Sequence, residues 1–302
     1  MKKLFCIFIF ALLIRLAMIW VWYHVGYENH LSADSHGYYE IAENLLQGKG
    51  FRFDVFGMPV SRRPPIYPLF IALTLKFKLF PLGVYGGQAL LGAVSAVVLY
   101  CLAKEMFGAR AGLLASAILS LDYLSVRQTV SVMPEILFVF FLLVCFAFLL
   151  HAVKKKRNRW LIGAGFSAGL ALLTKDVLVY YFPLMVLWFL FWKEPWMVRC
   201  WRGGAFLAGL VLVTAPWVVR NSLRYQHLVL VTVGGGHTFY LANNPKATGG
   251  MTGGDWEFVR DTDYPDDPDL PHLYTIEADR YLFKKGLEFI RKNPQTFVTL
   301  MG

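Results

Sequence analysis

The stretch MPEILFVFFLLVCFAFLLHAVKKKRNRWLIGAGFSAGLALLTKD, residues 133–176, carries the pattern from which the rest of the chain can be read. An apolar run over 136–152 ends in Lys154-Lys155-Lys156-Arg157 with Arg159, a second run over 160–174 follows, and the pair Lys175-Asp176 closes it. A bilayer core needs roughly 20 apolar residues per helix, and about 17 suffice. The two runs read as membrane spans, the second on the short side, joined by a basic loop of the kind that faces the cytoplasm. Working outward, comparable runs lie at 4–23, 82–103, 110–126, 177–192 and 203–219. Lys104 and Arg110 make another basic loop, Lys193, Arg199 and Arg202 a third, and Lys2 and Lys3 lead the chain. With a cytoplasmic N-terminus, seven spans put every basic loop inside and leave 24–81, 127–135, 174–176 and everything after 220 outside. The expectation is an all-α membrane protein of about seven transmembrane helices.

Composition excludes several other classes. With 57% apolar and 17% charged residues and a mean hydropathy of +0.48, the chain is more apolar than a soluble domain requires, so apolar side chains must face lipid. A net charge of +10 would suit nucleic acid, but the basic residues sit in short clusters between apolar runs rather than along one polar stripe. Membrane orientation explains them, and no nucleic-acid partner is expected. Cys6, Cys101, Cys145 and Cys200 are scattered and offer neither a disulfide framework nor a CxxC site. The 4–23 run has span length, and large aromatics stand where a signal-peptide cleavage site would need small residues. Gly165 and Gly169, four apart, permit close helix contact.

The first outer segment has its own order. Ser32-Ala33-Asp34-Ser35 supplies capping residues, Tyr38, Ile41, Ala42, Leu45 and Leu46 follow at helical spacing, and Gly48 and Gly50 end the run. Arg62-Arg63-Pro64-Pro65 then forces an extended entry into residues 66–80. Reading 66–80 as a span would invert every later loop against the positive-inside rule; it is expected to lie in the interface with Lys76 and Lys78 snorkelling. Two interfacial helices therefore occupy 24–81. Residues 1–220 form the core, and 221–302 form an outer region. That region holds Gly234-Gly235-Gly236, Asn243-Asn244-Pro245, Gly249-Gly250, the acids Asp261, Asp263, Asp266, Asp267 and Asp269, an amphipathic helix near 275–292 and an apolar opening of a further span. The glycine run does not sit between a strand and a helix, so a dinucleotide reading fails.

The few unusual charges gather on the outer side. Asp34 stands at a helix start, either as an N-cap or as a carboxylate able to take a proton or bind a metal. Glu135 follows Met133-Pro134 at the head of the fourth span, a position the helix dipole favours, with no basic neighbour in sequence nearer than Arg127. Lys175-Asp176 is either a solvated tip or, given the scarcity of outer lysines, a site. Arg15 inside the first span either snorkels or pairs with an inward acid. Arg63, Arg220 and Arg224 complete the basic set, and His24, His30 and His36 lack metal-ligand spacing.

Several stretches together resemble the GT-C-fold membrane glycosyltransferases, the branch of protein O-mannosyltransferases and the lipid A aminoarabinose transferase. They are Ala33-Asp34-Ser35 with Tyr38-Tyr39 and Gly48-Lys49-Gly50-Phe51; Arg63-Pro64-Pro65-Ile66-Tyr67-Pro68; Met106-Phe107-Gly108-Ala109-Arg110; Met133-Pro134-Glu135; Leu173-Thr174-Lys175; Pro216-Trp217-Val218-Val219-Arg220-Asn221; and Asn243-Asn244-Pro245. The resemblance implies a polyprenyl-phosphate sugar donor used on the periplasmic or extracellular face of the inner membrane, with no nucleotide sugar. It implies Asp34 and Glu135 as catalytic acids and Lys175 and Arg220 as ligands of the donor phosphate, with Arg63 beside them. Where many relatives carry a second acid, Asp34 is followed by Ser35.

The residue types suit that chemistry. Displacement at the anomeric carbon releases a lipid phosphate whose charge needs cations rather than a strong acid. Asp34 would act as base for the acceptor, direct displacement would invert the sugar, and Glu135 would orient the acceptor or share a divalent metal with Asp34. The acceptor, whether lipid, glycan or protein, is open. The alternatives are a transporter or flippase of lipid-linked sugars and a non-catalytic assembly subunit. Arg15 is the only charge well inside a span, and no internal repeat supports the first of these.

Overall fold

The computed structural model describes residues 2–25, 31–55, 58–60, 63–155, 157–248, 271 and 275–301. His30, Gly249-Gly250 and the acids between 261 and 269 lie outside the described residues. In chain order the elements begin with α1 (Lys2–His24), α2 (Ala33–Leu46), a hairpin of β1 (Phe53–Val55) and β2 (Met58–Val60), α3 (Ile66–Lys76) and α4 (Leu82–Phe107). Then come α5 (Ala109–Leu121), α6 (Tyr123–Arg127), a 3-10 turn Gln128–Val130, α7 (Glu135–Lys155) and α8 (Asn158–Leu172). The last are α9 (Leu178–Trp188), α10 (Trp196–Tyr225), α11 (Gly235–Ala242), α12 (Ile276–Lys292) and α13 (Pro294–Leu300).

Apolar runs take the helical form because a helix closes its backbone hydrogen bonds within itself, which lipid demands. Among the described residues four helices, α1, α4, α7 and α10, are long and apolar enough to cross a membrane. The bent pair Ala109–Leu121 and Tyr123–Val130, at 51°, makes a fifth if taken as one span. At 15 and 11 residues, α8 and α9 stand at the expected positions but are shorter than a full crossing needs. The protein is thus a helical, multi-pass membrane protein with four or five candidate spans where hydropathy suggested seven. The short hairpin, with Phe53 opposite Val60 and Val55 opposite Met58, is a departure from the all-α expectation.

The break after α5 has a local cause. Asp122 adopts an extended conformation, and its carboxylate accepts from the Ser125 amide at 2.7 Å, starting a new helix. Arg15 serves the break from α1. Only 1% exposed, it donates to Ala11 O at 3.1 Å, Ser125 Oγ at 3.3 Å and Leu119 O, near the end of α5, at 3.4 Å. Among the described residues no acid pairs with Arg15; its guanidinium binds carbonyl and hydroxyl oxygens inside the bundle. Gly92 on α4 makes the room, because a Cβ there would fall 2.3 Å from Arg15 Nε. Packing between α8 and α10 is closer still: a Cβ at Gly165 would lie 1.9 Å from Phe206 O, and one at Gly209 2.0 Å from Ile162 O.

Two contacts decide where the site forms. The Ile66 amide, at the start of α3, donates to Leu173 O at 3.0 Å, so the segment carrying Arg63 lies against the α8–α9 turn. Beneath it a core of Tyr38, Tyr67, Ile71, Val84, Val130, Val132 and Leu137 joins α2, α3, α4 and α7. After α10 the chain returns along the same end, with Val231 O accepting from Trp217 Nε1 at 2.7 Å and Asn221 Nδ2 at 2.9 Å. In the outer region α12 matches the helix expected near 275–292, and Asp279 Oδ1 accepts from the amides of Gly236 and His237 at the head of α11.

Candidate active site

α2 starts at a serine rather than at its acid. Ser32 Oγ accepts from the Ser35 amide at 3.4 Å and is the N-cap, which leaves Asp34, in the first turn, without capping duty. Asp34 instead meets Arg63, whose Nη2 donates to Oδ1. The Arg63 guanidinium also lies over the Tyr38 ring, 4.8 Å from its centroid, one helical turn along from Asp34.

A second acid–base pair stands nearby. Lys175 Nζ donates to Glu135 Oε1 at 2.9 Å, so the acid with no basic neighbour in sequence nearer than Arg127 finds its partner forty residues along the chain. Glu135 Oε2 is shut off from solvent with no hydrogen-bond partner, an open acceptor beside the pair. Asp176, next in the turn, accepts from the Thr232 hydroxyl. Tyr38 feels all of these groups. Burial pushes its phenol up to about 12, Arg63 works the other way, and Glu135, Asp176 and Asp34 each add to the rise. The Arg63 guanidinium is held above its ordinary value: burial opposes its charge, but Tyr38 and Asp34 outweigh burial.

Asp34, Arg63, Glu135 and Lys175, from four separate segments, are therefore brought to one end of the bundle around Tyr38. Arg220 is held in an adjoining cluster. It donates to Phe51 O at 2.7 Å and Asn221 Oδ1 at 2.6 Å, and it stacks on Phe51 and Trp217. His24 Nδ1 donates to Trp20 O at 2.8 Å within α1, and His36 is exposed.

Asp34 and Glu135 are each matched to a cation, and among the described residues no group of three or more His, Cys, Asp or Glu could hold an ion.

Sequence reasoning passed over three residues here. Tyr38 read as a core position, yet its place four residues after Asp34 puts it on the same helix face. Tyr67 packs edge-on against Tyr38 with centroids 5.2 Å apart and donates from its hydroxyl to Gln88 Oε1 at 3.0 Å. Gln88 Nε2 in turn donates to Ser131 O at 2.9 Å, Thr129 O at 3.0 Å and Gln128 O at 3.3 Å. The signal for Gln88 was a lone amide inside an apolar run.

Comparison with known proteins bears on this arrangement directly. The sequence profile described as dolichyl-phosphate-mannose-protein mannosyltransferase matches residues 62–219, more than half of the chain and the part that carries Arg63, Glu135 and Lys175. The chain belongs to that mannosyltransferase family. It is 27% identical over 183 residues to an uncharacterized protein of Aquifex aeolicus, covering 60% of this chain and 37% of that one. It is 31% identical over 140 residues to YkcB of Bacillus subtilis, whose name marks it as a proposed mannosyltransferase, covering 46% of this chain and 20% of that one. The chain thus spans well under half the length of these relatives. No solved structure matches it. The family is one of glycosyl transfer, and Asp34 lies outside the matched stretch, joined to it through Arg63.

Proposed function

We propose that this chain carries the donor end of a glycosyltransferase that moves a sugar from a polyprenyl-phosphate carrier to an acceptor at the outer face of the membrane. The observation that supports it best is the pair of ion pairs, Asp34 with Arg63 and Glu135 with Lys175, gathered around one buried phenol at the end of the helices opposite the basic loops. In this reading the acceptor hydroxyl attacks the anomeric carbon, its proton passes to the Asp34 carboxylate, and the carbon–oxygen bond to the lipid phosphate breaks. The phosphate leaves with the bonding pair, and the sugar is inverted. Lys175 and Arg63, with Arg220 from the adjoining cluster, receive the phosphate charge, the cations exchanging carboxylate for phosphate oxygens as the donor seats. Glu135, with one oxygen free of hydrogen bonds, orients a hydroxyl of the sugar or acceptor.

The same reading completes the topology. The N-terminus and basic loops are cytoplasmic, α8 and α9 serve as short spans to make seven, and α2 and α3 lie in the outer interface. Replacement Asp34→Asn tests the mechanism: transfer of radiolabelled sugar from its lipid phosphate should fall at least about 100-fold, the scale of a lost general base, with insertion and folding kept. Wild-type turnover in that variant would remove Asp34 from the reaction.

A further inference from the structure

We infer that Gln88 is a positioning residue for Glu135, acting through the segment that leads into α7; this rests on the reading of Glu135 as a site residue. Gln88 is wholly buried on α4, a helix whose other core positions are mostly small or apolar. A buried amide is costly unless every polar atom is matched, and here both ends are. Its nitrogen faces the carbonyls of Gln128, Thr129 and Ser131, and its oxygen receives the Tyr67 hydroxyl. The opposite orientation of the amide would set an oxygen against three carbonyl oxygens, so only one end can face the turn.

Those carbonyls belong to the 3-10 turn and the residue after it, where the chain leaves helical geometry before Met133-Pro134-Glu135. The connection has no regular ladder: Gln128 O and Ser131 O accept from the amides of Ser131 and Met133 within it, and the Gln88 amide is the donor that ties these oxygens and Thr129 O to α4. Arg127 adds a second hold, donating to Ser131 Oγ at 2.8 Å. Tyr67, which sets the amide, lies on α3 directly after the Arg63 segment, so the same hydrogen bond ties the Arg63 side of the site to the Glu135 side. Without the amide, the connection loses its hydrogen-bonded tie to α4 and shifts. Glu135, four residues beyond Ser131, shifts with it.

The test uses the full chain purified in detergent, with polyprenyl-phosphate-linked radiolabelled mannose as probe and release of label from the lipid as readout. Gln88→Met keeps the volume and removes the donors. It should lower kcat between about 10- and 100-fold, the cost of misplacing a reacting group by an ångström, with the KM for donor nearly unchanged. In a Glu135→Gln background the same substitution should cost less than about twofold, because the group it positions is already disabled. Tyr67→Phe removes only one hydroxyl and should give a smaller loss that vanishes in the same background. Should Gln88→Met fail to fold, the Tyr67→Phe pair of measurements carries the test alone. Equal losses in both backgrounds, or wild-type kcat in Gln88→Met, overturn the assignment. Full turnover in Glu135→Gln itself overturns instead the site reading on which it rests.

Discussion

Arg63 illustrates how a magnitude separates structural from functional duty. Its pair with Asp34 is partly open to solvent, the two side chains being 25% and 37% exposed, and such pairs contribute at most about 1 kcal/mol. Arg63→Gln should therefore move thermal unfolding in detergent only slightly while cutting sugar transfer sharply; a large fall in stability with full transfer would reverse that assignment. Tyr38 gives a prediction of opposite kind. With its folded-state value near 12 against an ordinary 10, the unfolded chain loses the phenolic proton first, so stability is whole below pH 10 and falls as pH rises toward 12. The loss approaches about 3 kcal/mol. Tyr38→Phe, lacking the hydroxyl, should show a shallower alkaline fall in unfolding temperature than the parent. Asp34, Glu135 and Lys175 could be picked out from the sequence because a charge bordering an apolar run is rare and calls for a reason. Their pairing could not, since Glu135 and Lys175 meet only when α7 and α8 lie antiparallel. Tyr38, Tyr67 and Gln88 were hidden for a different cause, a tyrosine or an amide among apolar neighbours being indistinguishable from ordinary core until its hydrogen bonds are seen.

Helices are where hydropathy reads most directly, because each long apolar run has one way to satisfy its backbone in lipid. The run at 110–126 shows the limit. It is continuous in hydropathy, yet Asp122 turns it into two helices, and an arginine supplied by α1 donates to oxygens on both sides of the bend. The contact between α8 and α10 offers a clean test at this scale. Gly209→Ala places a methyl 2.0 Å from Ile162 O, whereas a Cβ at Gly203 on the same helix meets nothing within 4 Å. Overpacking of this sort costs about 1–3 kcal/mol or more. Gly209→Ala should lower the unfolding temperature in detergent clearly, and Gly203→Ala should leave it within error; equal behaviour of the two would contradict the close backbone approach.

Across the whole molecule, the separation of basic loops from site charges predicts sidedness. In a background with its four native cysteines replaced, a cysteine at Ser32 should react with a membrane-impermeant thiol reagent in intact cells, and one at Arg157 only after permeabilisation. Labelling of the second in intact cells would invert the proposed topology. Sidedness also has a history within each molecule, set by the order in which helices leave the ribosome. α1 is made before the helices that pack on Arg15, a residue that costs roughly 2.5–3.5 kcal/mol at a bilayer centre. Two of the three oxygens that receive it, Leu119 O and Ser125 Oγ, and the notch at Gly92 that admits it, belong to helices not yet synthesised. Until α4, α5 and α6 follow it, nascent α1 lacks the Leu119 and Ser125 oxygens that its arginine meets in the finished bundle.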